Sequence, residues 1–292
     1  MKLVMTMVVR DEEDIIADNL RFHFEGGVDE AIVLDNASDD GTRDILSDLA
    51  KQYPIRIMDE PGRDFSQGRW MTRLATIARD DLGADWIVPN DADEFWWNGG
   101  ASLKAAIART GSACNLLRCH RVNMIQGYDA AVDDKWWKRL TFRVATPDPV
   151  PSLTGQHDKP RPSPHFYCAL AGKVMVATKN LKMIGEGNHS AVFHTEPVAE
   201  DSCVTIYHFP VRSPIQFMTK ACNAGAAFAQ NDELPKGIGW HTRRWYWLYE
   251  NHGIEAAMAD ALPSLNQLDE DVKSGRVVRD DTMIRVLDRQ IS

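Results

Sequence analysis

The sequence predicts an α/β protein, with a mostly parallel sheet flanked by helices and a helical C-terminal extension. Three observations carry this. Over the first hundred residues, short β-rich apolar runs alternate with segments whose apolar residues recur at helical spacing. Such alternation implies parallel pairing through right-handed crossovers. Polar clusters at residues 10–14, 35–42 and 90–94 each follow an apolar run. In open parallel sheets, ligands bind beyond the carboxyl ends of the strands. From Ser213 the pattern is helical almost to Ser292.

Residues 2–9 read as a first buried strand, too short and too soon followed by acidic residues for a membrane span or a signal-peptide core. Ile15, Ile16, Leu20 and Phe24 mark a helix over residues 12–24. A second strand, residues 31–34, ends in Asp35-Asn-Ala-Ser-Asp-Asp-Gly-Thr42, and Ile45, Leu46 and Leu49 then give a helix. Residues 55–58 are a third strand and residues 66–78 a third helix. Trp86-Ile-Val88 is a fourth strand, running into Pro89-Asn-Asp-Ala-Asp-Glu94. Beyond Gly100, residues 115–125, 139–145, 173–177 and 204–207 are expected strands. Residues 146–164, rich in proline, are expected as a long surface loop, and Pro263 breaks the final helical stretch.

With 292 residues, 44% of them hydrophobic, the chain can bury one large α/β core, with or without an added subdomain. A net charge of −9 argues against a broad basic surface, so nucleic acid is not an expected partner. Five scattered cysteines, an odd number, suit a reduced cytoplasmic protein better than a disulfide framework. Cys114, Cys119 and His120 match no common zinc spacing and read as structural.

The chemistry concentrates at two turns. Asp91 and Asp93, two apart on a turn after a buried strand, can converge on one hard cation, and magnesium or manganese shares oxygen ligands with phosphates. A solvated acidic turn is the bland alternative; the placement between Trp86-Ile-Val88 and Phe95-Trp96-Trp97 favours the metal. In residues 35–42, Ser38 or Asp40 is placed to cap the following helix. The carboxylate and amide there also suit a base edge or ribose hydroxyls. Trp96 and Trp97 are candidate acceptor-stacking residues.

The pattern Asp35-Asn-x-Ser-x-Asp-Gly-Thr42, together with Asp91-x-Asp-Glu-Phe95, resembles the GT-A fold family 2 glycosyltransferases. The closer similarity is to a bacterial branch whose metal motif runs Asp-x-Asp-Glu-Phe. Asp11 departs from that group, which usually has Lys-Asn-Glu where this chain has Arg10-Asp-Glu12. The resemblance covers roughly the first third of the chain and thins to fragments at residues 187–190 and 207–213.

The resemblance implies a GT-A (Rossmann-like) sheet and roles for matching positions. Asp35, Asn36, Ser38 and Asp40 would surround the nucleoside, with Thr6 and Arg10 beside it. Asp91 and Asp93 would approach the ribose and the diphosphate-bound Mn2+ or Mg2+, Asp93 more directly. Arg69 and Arg73 (with Arg63 a weaker candidate) would face the nucleotide, although an exposed helix face explains them equally. His208 ends an apolar strand and would complete the metal shell, with Arg212 and Lys220 meeting phosphate oxygens. His189 would face donor sugar or acceptor. An inverting reaction needs a carboxylate base, for which Glu94 and Glu186 are the candidates.

The expectation is thus a metal-dependent glycosyltransferase that takes a sugar from a nucleotide diphosphate, UDP in preference to GDP, to a glycan or lipid-linked acceptor. Residues 1–100 would be the nucleotide-sugar-binding half, 101–212 the acceptor-side half and 213–292 the helical extension. Membrane contact would be peripheral at most. The alternatives are a non-catalytic nucleotide-sugar or glycan-binding protein of the same fold, and a nucleotidyltransferase. Against the latter, the turn at residues 10–14 is too acidic to cradle a triphosphate.

Overall fold

The computed structural model describes residues 1–62, 66–129, 135–151, 156–230, 237 and 239–290. The chain divides into two compact units, Met1–Arg121 with Ala171–His208, and Val122–Leu170 with Phe209–Gln290. The first unit opens with β1 (Leu3–Val9), α1 (Ile16–Glu25), β2 (Glu30–Asp35), α2 (Thr42–Leu49) and β3 (Ile55–Asp59). It continues through α3 (Gln67–Asp80), β4 (Trp86–Asn90), β5 (Glu94–Trp97) and α4 (Leu103–Ile107). β6 (Leu116–Ile125) starts in the first unit and ends in the second, which then takes α5 (Trp136–Arg139) and β7 (Phe142–Val144). β8 (Lys173–Ala177), β9 (Leu181–Ile184), β10 (Ala191–Phe193) and β11 (Ala199–His208) belong again to the first. The second unit closes with α6 (Pro214–Gln230), α7 (Trp240–His252), α8 (Ile254–Ala261), α9 (Leu265–Lys273), β12 (Val277–Arg279) and α10 (Thr282–Gln290).

In the first unit β3, β2, β1 and β4 lie side by side and parallel. The register pairs Val9 with Asp35 and Met7 with Asn90, so β1, β2 and β4 finish at one edge. The chain moves outward from β1 through β2 to β3, then returns to place β4 on the other side of β1. The strand order thus reverses at β1, and α/β sheets bind ligands at the carboxyl edge of such a reversal. Beyond β4 the added strands β8 and β6 run antiparallel. β5 pairs antiparallel with β11, which sets His208 opposite Glu94.

The parallel strands are near-continuous apolar runs because helices cover the sheet. One face of α3 carries Trp70, Met71, Leu74, Ala75 and Ala78 against Val4, Ile32, Leu34 and Ile87, all buried. Burying a large apolar side chain of this kind contributes about 1.5–3 kcal/mol. The second unit packs α6, α7, α8 and α9 around Phe217, Met218, Trp245, Met258, Leu262 and Leu268.

The α/β class and the helical C-terminal region are as the sequence indicates. Differences fall where elements are short. Residues 139–145 are not one strand: α5 ends at Arg139 and β7 begins at Phe142. β12 interrupts the helical stretch: Gly275, at φ 76, turns the chain after α9, and Val277 and Arg279 pair with β7. Three residues are too few for a period-2 signal. Trp96 is core rather than an acceptor contact, being 1% exposed. Among the described residues no helix is long and apolar enough to cross a membrane.

Candidate functional site

β4 ends at Asn90 and β5 begins at Glu94, so the residues between form a tight turn, closed by the Glu94 N–H donating to the Asp91 carbonyl at 3.1 Å. A buried network fixes this turn from α1. The Asn19 side-chain amide donates to the carbonyls of Ala92 and Glu94, both at 2.8 Å. Its Oδ1 accepts from Asn90 Nδ2 at 3.0 Å, and Asn90 Oδ1 accepts from the Trp96 indole at 2.8 Å. His23 Nδ1 lies 2.8 Å from the Asn19 carbonyl, and its Nε2 accepts from the Trp96 N–H at 3.3 Å. Those contacts require the neutral ring with its proton on Nδ1. Burial enforces it by pulling the His23 pKa down to about 4, against the smaller opposite effect of the Asn19 carbonyl.

The carboxylates of the turn meet side chains from distant strands. Lys173, 1% exposed at the start of β8, puts Nζ 2.5 Å from Asp91 Oδ2 and 3.1 Å from Glu94 Oε1. Arg121 on β6 donates to Glu94 Oε1 at 2.7 Å. Asp91 Oδ1 accepts from Gln67 Nε2 at 3.0 Å and Asn188 Nδ2 at 3.2 Å. Glu94 is wholly buried, and its Oε2 makes no hydrogen bond among the described residues. Asp93, 2% exposed, lies 3.4 Å from His208 Nε2 through Oδ2. Burial holds the His208 pKa below its ordinary value, more than Asp93 raises it, and Arg121 adds to the lowering.

The ends of β1 and β2 form a second acidic cluster, bonded mainly to backbone. Asp35 Oδ1 accepts from the Ser38 hydroxyl at 2.5 Å and its N–H at 3.3 Å. Asp11, at φ 53, accepts from the Asp39 N–H at 2.7 Å, while its own N–H donates to Ser38 Oγ at 3.1 Å. Glu13 accepts from the Gly41 N–H at 2.8 Å. Asp40 accepts from Thr42 N–H at 2.9 Å and from Glu13 N–H at 3.1 Å, but neither it nor Ser38 is the N-cap of α2, which is Gly41. Asn36 donates to the carbonyls of Glu60 and Gly62. The strands bearing Asp35 and Asp91 flank β1, so their ends lie roughly 10 Å apart.

The loop after β9 closes a third side. Glu186 Oε1 accepts from the Gly68 N–H at 3.1 Å, one of the unsatisfied amides at the start of α3. A Cβ at Gly68 would stand 2.6 Å from that oxygen. His189 Nδ1 lies 2.7 Å from the Gly172 carbonyl. Burial and then Lys173 hold the His189 pKa low. Beside them lies a cavity of about 280 Å³, lined by Arg118, Lys173, Val174, His189, Ser190 and Ala199 among others.

Comparison with known proteins bears on this arrangement. Residues 6–112 match the family model for glycosyl transferase family 2. That span runs from β1 past α4 and includes both acidic turns. No curated protein matches the chain. Among solved structures, Staphylococcus aureus TarS 1–349 in complex with UDP-GlcNAc is 12% identical over 86% of this chain and 73% of that one, with a TM-score of 0.43. A second structure of TarS 1–349 is 13% identical over the same shares, at 0.41. Glucosyl-3-phosphoglycerate synthase from Mycobacterium tuberculosis with Mg2+ and UDP is 18% identical over 41% of this chain and 43% of that one, at 0.31.

The sequence-derived residues fall into groups. Asp91, Asp93, Glu94 and His208 come together, with Glu186 joined to them through α3 and Asn188. Asp35, Asn36, Ser38 and Asp40 gather at the β2 end, where Arg10 lies 3.7 Å from Asp11. Thr6 is fully buried in mid-strand, and its hydroxyl has no partner among the described residues. Arg69 and Arg73 share an exposed face of α3, Arg73 being 3.8 Å from Glu60. Arg63 lies outside the described residues. Arg212 and Lys220 belong to the second unit, where Arg212 is 1% exposed and donates to the Phe209 carbonyl at 3.1 Å, and Lys220 is exposed on α6. Cys119 is buried on β6, its thiol pushed up to about 12, while the adjacent His120 is exposed, as alternation along a strand dictates.

Sequence reading missed Asn19, Gln67, Arg121, Lys173 and Asn188. Lys173 carried a faint signal, a lysine opening the apolar run Val-Met-Val. Asn19 carried another, an amide on the apolar stripe of a helix.

Proposed function

We propose that this protein is a glycosyltransferase that moves a sugar from a nucleotide diphosphate to a hydroxyl acceptor with the help of Mn2+ or Mg2+. The observation that carries this is the turn at residues 91–93, fixed at the carboxyl end of β4 with Asp93 beside a neutral His208. One hard carboxylate oxygen and one imidazole nitrogen suit a divalent ion that keeps other positions for phosphate oxygens. When bound, such an ion neutralises charge on the leaving diphosphate.

The chain's own residues supply the rest. Asn19 holds the turn rigid, which keeps the Asp93 carboxylate where it is needed without reorganisation. Asp35, Asn36, Ser38, Asp40 and Arg10 form the nucleoside side, and Asp91 the ribose side; Thr6, fully buried in mid-strand, supports β1 beneath them. Arg69 and Arg73, exposed on α3, are the phosphate-facing cations of this reading. His189 and the cavity next to it take the sugar or the acceptor. If the reaction inverts, Glu186 is the better base of the two candidates. Glu94 is enclosed and already pairs with two cations, which makes it a counter-ion. In this division residues 1–100 serve the donor, residues 101–212 the acceptor, and residues 213–292 are an extension. A polysaccharide or lipid-linked glycan in a bacterial cytoplasm is the acceptor setting that the motif resemblance favours.

Calorimetric titration of UDP and GDP, with and without Mn2+, tests the reading on wild type and Asp93→Ala. Manganese-dependent binding of UDP that disappears in the variant is expected. No binding of either nucleotide to folded wild-type protein would overturn it in favour of a glycan-binding role.

A further inference from the structure

The acidic turn carries its own cation. Lys173 is almost completely enclosed, and a lysine ammonium withdrawn from water is retained where carboxylates compensate it. Its Nζ reaches Asp91 and Glu94 together. The remaining oxygen of Asp91 is held by Gln67 and Asn188, so both oxygens of this carboxylate already serve protein donors. A divalent ion on Asp91 would sit within about 5 Å of the ammonium, a like-charge repulsion that the partly exposed Asp91 only partly screens, Lys173 itself being enclosed. Asp93, two residues on, is turned instead toward His208.

We infer that Lys173 is a built-in counter-cation that withholds Asp91 from metal, so that Asp93 and His208 bind a divalent ion appreciably only when a diphosphate brings further oxygens. The inference rests on the metal–diphosphate reading above. It differs in predicting how the empty-handed protein treats metal: three acidic side chains lie at one turn, yet Mn2+ alone binds weakly. Lys173 is thereby a positioning residue. It acts on the ion through Asp91, fixing which carboxylate is offered and tying metal capture to arrival of the donor.

The test follows Mn2+ binding by the electron paramagnetic resonance signal of the free ion, in nucleotide-free protein and then with UDP. Wild type is expected to bind Mn2+ at least about tenfold more weakly without UDP than with it. Lys173→Met removes one positive charge and frees Asp91, and should raise nucleotide-free affinity about tenfold or more. Lys173→Arg should keep wild-type behaviour, and Asp91→Asn added to Lys173→Met should cancel the gain. Where Lys173→Met does not fold, because Glu94 loses a partner, Lys173→Met/Glu94→Gln removes both charges and should still show the gain. Unchanged or weaker Mn2+ binding by a folded variant lacking Lys173 overturns the inference, as does tight binding of Mn2+ by nucleotide-free wild type. Wild type that binds no UDP at any Mn2+ concentration defeats the metal–diphosphate reading instead; a raised Mn2+ affinity in Lys173→Met would then still support the counter-cation.

Discussion

The first unit has two acidic turns on either side of β1 at the carboxyl edge of the sheet, and they solve the same electrostatic problem differently. At the ends of β1 and β2, Asp35, Asp11, Glu13 and Asp40 accept mainly from backbone N–H groups of the two turns. After β4, Asp91 and Glu94 are met by Lys173 and Arg121, and Asp93 by His208, from strands far away in sequence. Backbone amides carry partial charges and stay put, so the β2 turn is a rigid cup that tolerates solvent. Side-chain cations carry full charges and need enclosure to matter. The β4 turn is accordingly almost wholly enclosed around Asp93 and Glu94. A hydrogen-bonded acidic turn suits hydroxyls and a base edge; an enclosed, charge-balanced one suits an ion and a diphosphate.

This contrast breaks or sharpens through four changes. Asp93→Ala strikes the β4 turn where the ion would bind and is expected to lower transfer about a thousandfold, ~4 kcal/mol, in protein that remains folded; turnover assays with circular dichroism check it, and near-normal rates would erase the distinction between the turns. Asn19→Ala leaves the Ala92 and Glu94 carbonyls and Asn90 without their buried partner, and should cost about 3–4 kcal/mol of stability in denaturant unfolding. A loss under 1 kcal/mol would show that α1 does not hold the turn.

The third change is pH. His23 has a folded-state pKa lowered from 6.5 to about 4, so between those values the unfolded chain binds a proton that the folded one refuses. Its contribution is complete above pH 6.5 and declines as pH falls toward 4, by up to about 3 kcal/mol. His23→Gln, which can keep both hydrogen bonds, should flatten the stability profile over that window; parallel profiles would remove His23 from the account. The smallest effect belongs to the β2 turn. Gly41→Ala places a Cβ 2.7 Å from Glu13 Oε2, and the exposed side chain can swing away at the loss of one hydrogen bond, about 1 kcal/mol by thermal melt. A much larger loss would mean that this turn is as tightly built as its neighbour.

The same contrast explains what could be read in the sequence. The β2 turn is partly written within a few residues, since Asp35 bonds Ser38 and Asp40 bonds Thr42, with Asp11 and Glu13 added from the β1 end. The parallel strands were legible for a similar reason: each is a contiguous apolar run. The acidic residues of the β4 turn were visible, but their partners were not. Lys173 lies 82 positions from Asp91, and His208 finds Asp93 through the pairing of β5 with β11. No local period encodes such a meeting. β5 itself was hidden because four residues that include three aromatics read equally well as the tail of a turn. β7 and β12 were too short to show alternation.

The first unit is discontinuous in sequence, with residues 122–170 intervening before Ala171–His208 complete it. This gives the candidate site an order of birth. As the chain leaves a ribosome, the parallel strands, α1 and the whole acidic turn emerge well before β8 and β11. Until they arrive, Glu94 lacks Lys173 and Asp93 lacks His208, and water must do their work. The turn therefore acquires its enclosed character only through long-range contacts, Lys173 lying 82 positions from Asp91. A nascent chain stopped before Ala171 holds the whole matched family segment and its acidic motif, and still has no finished centre.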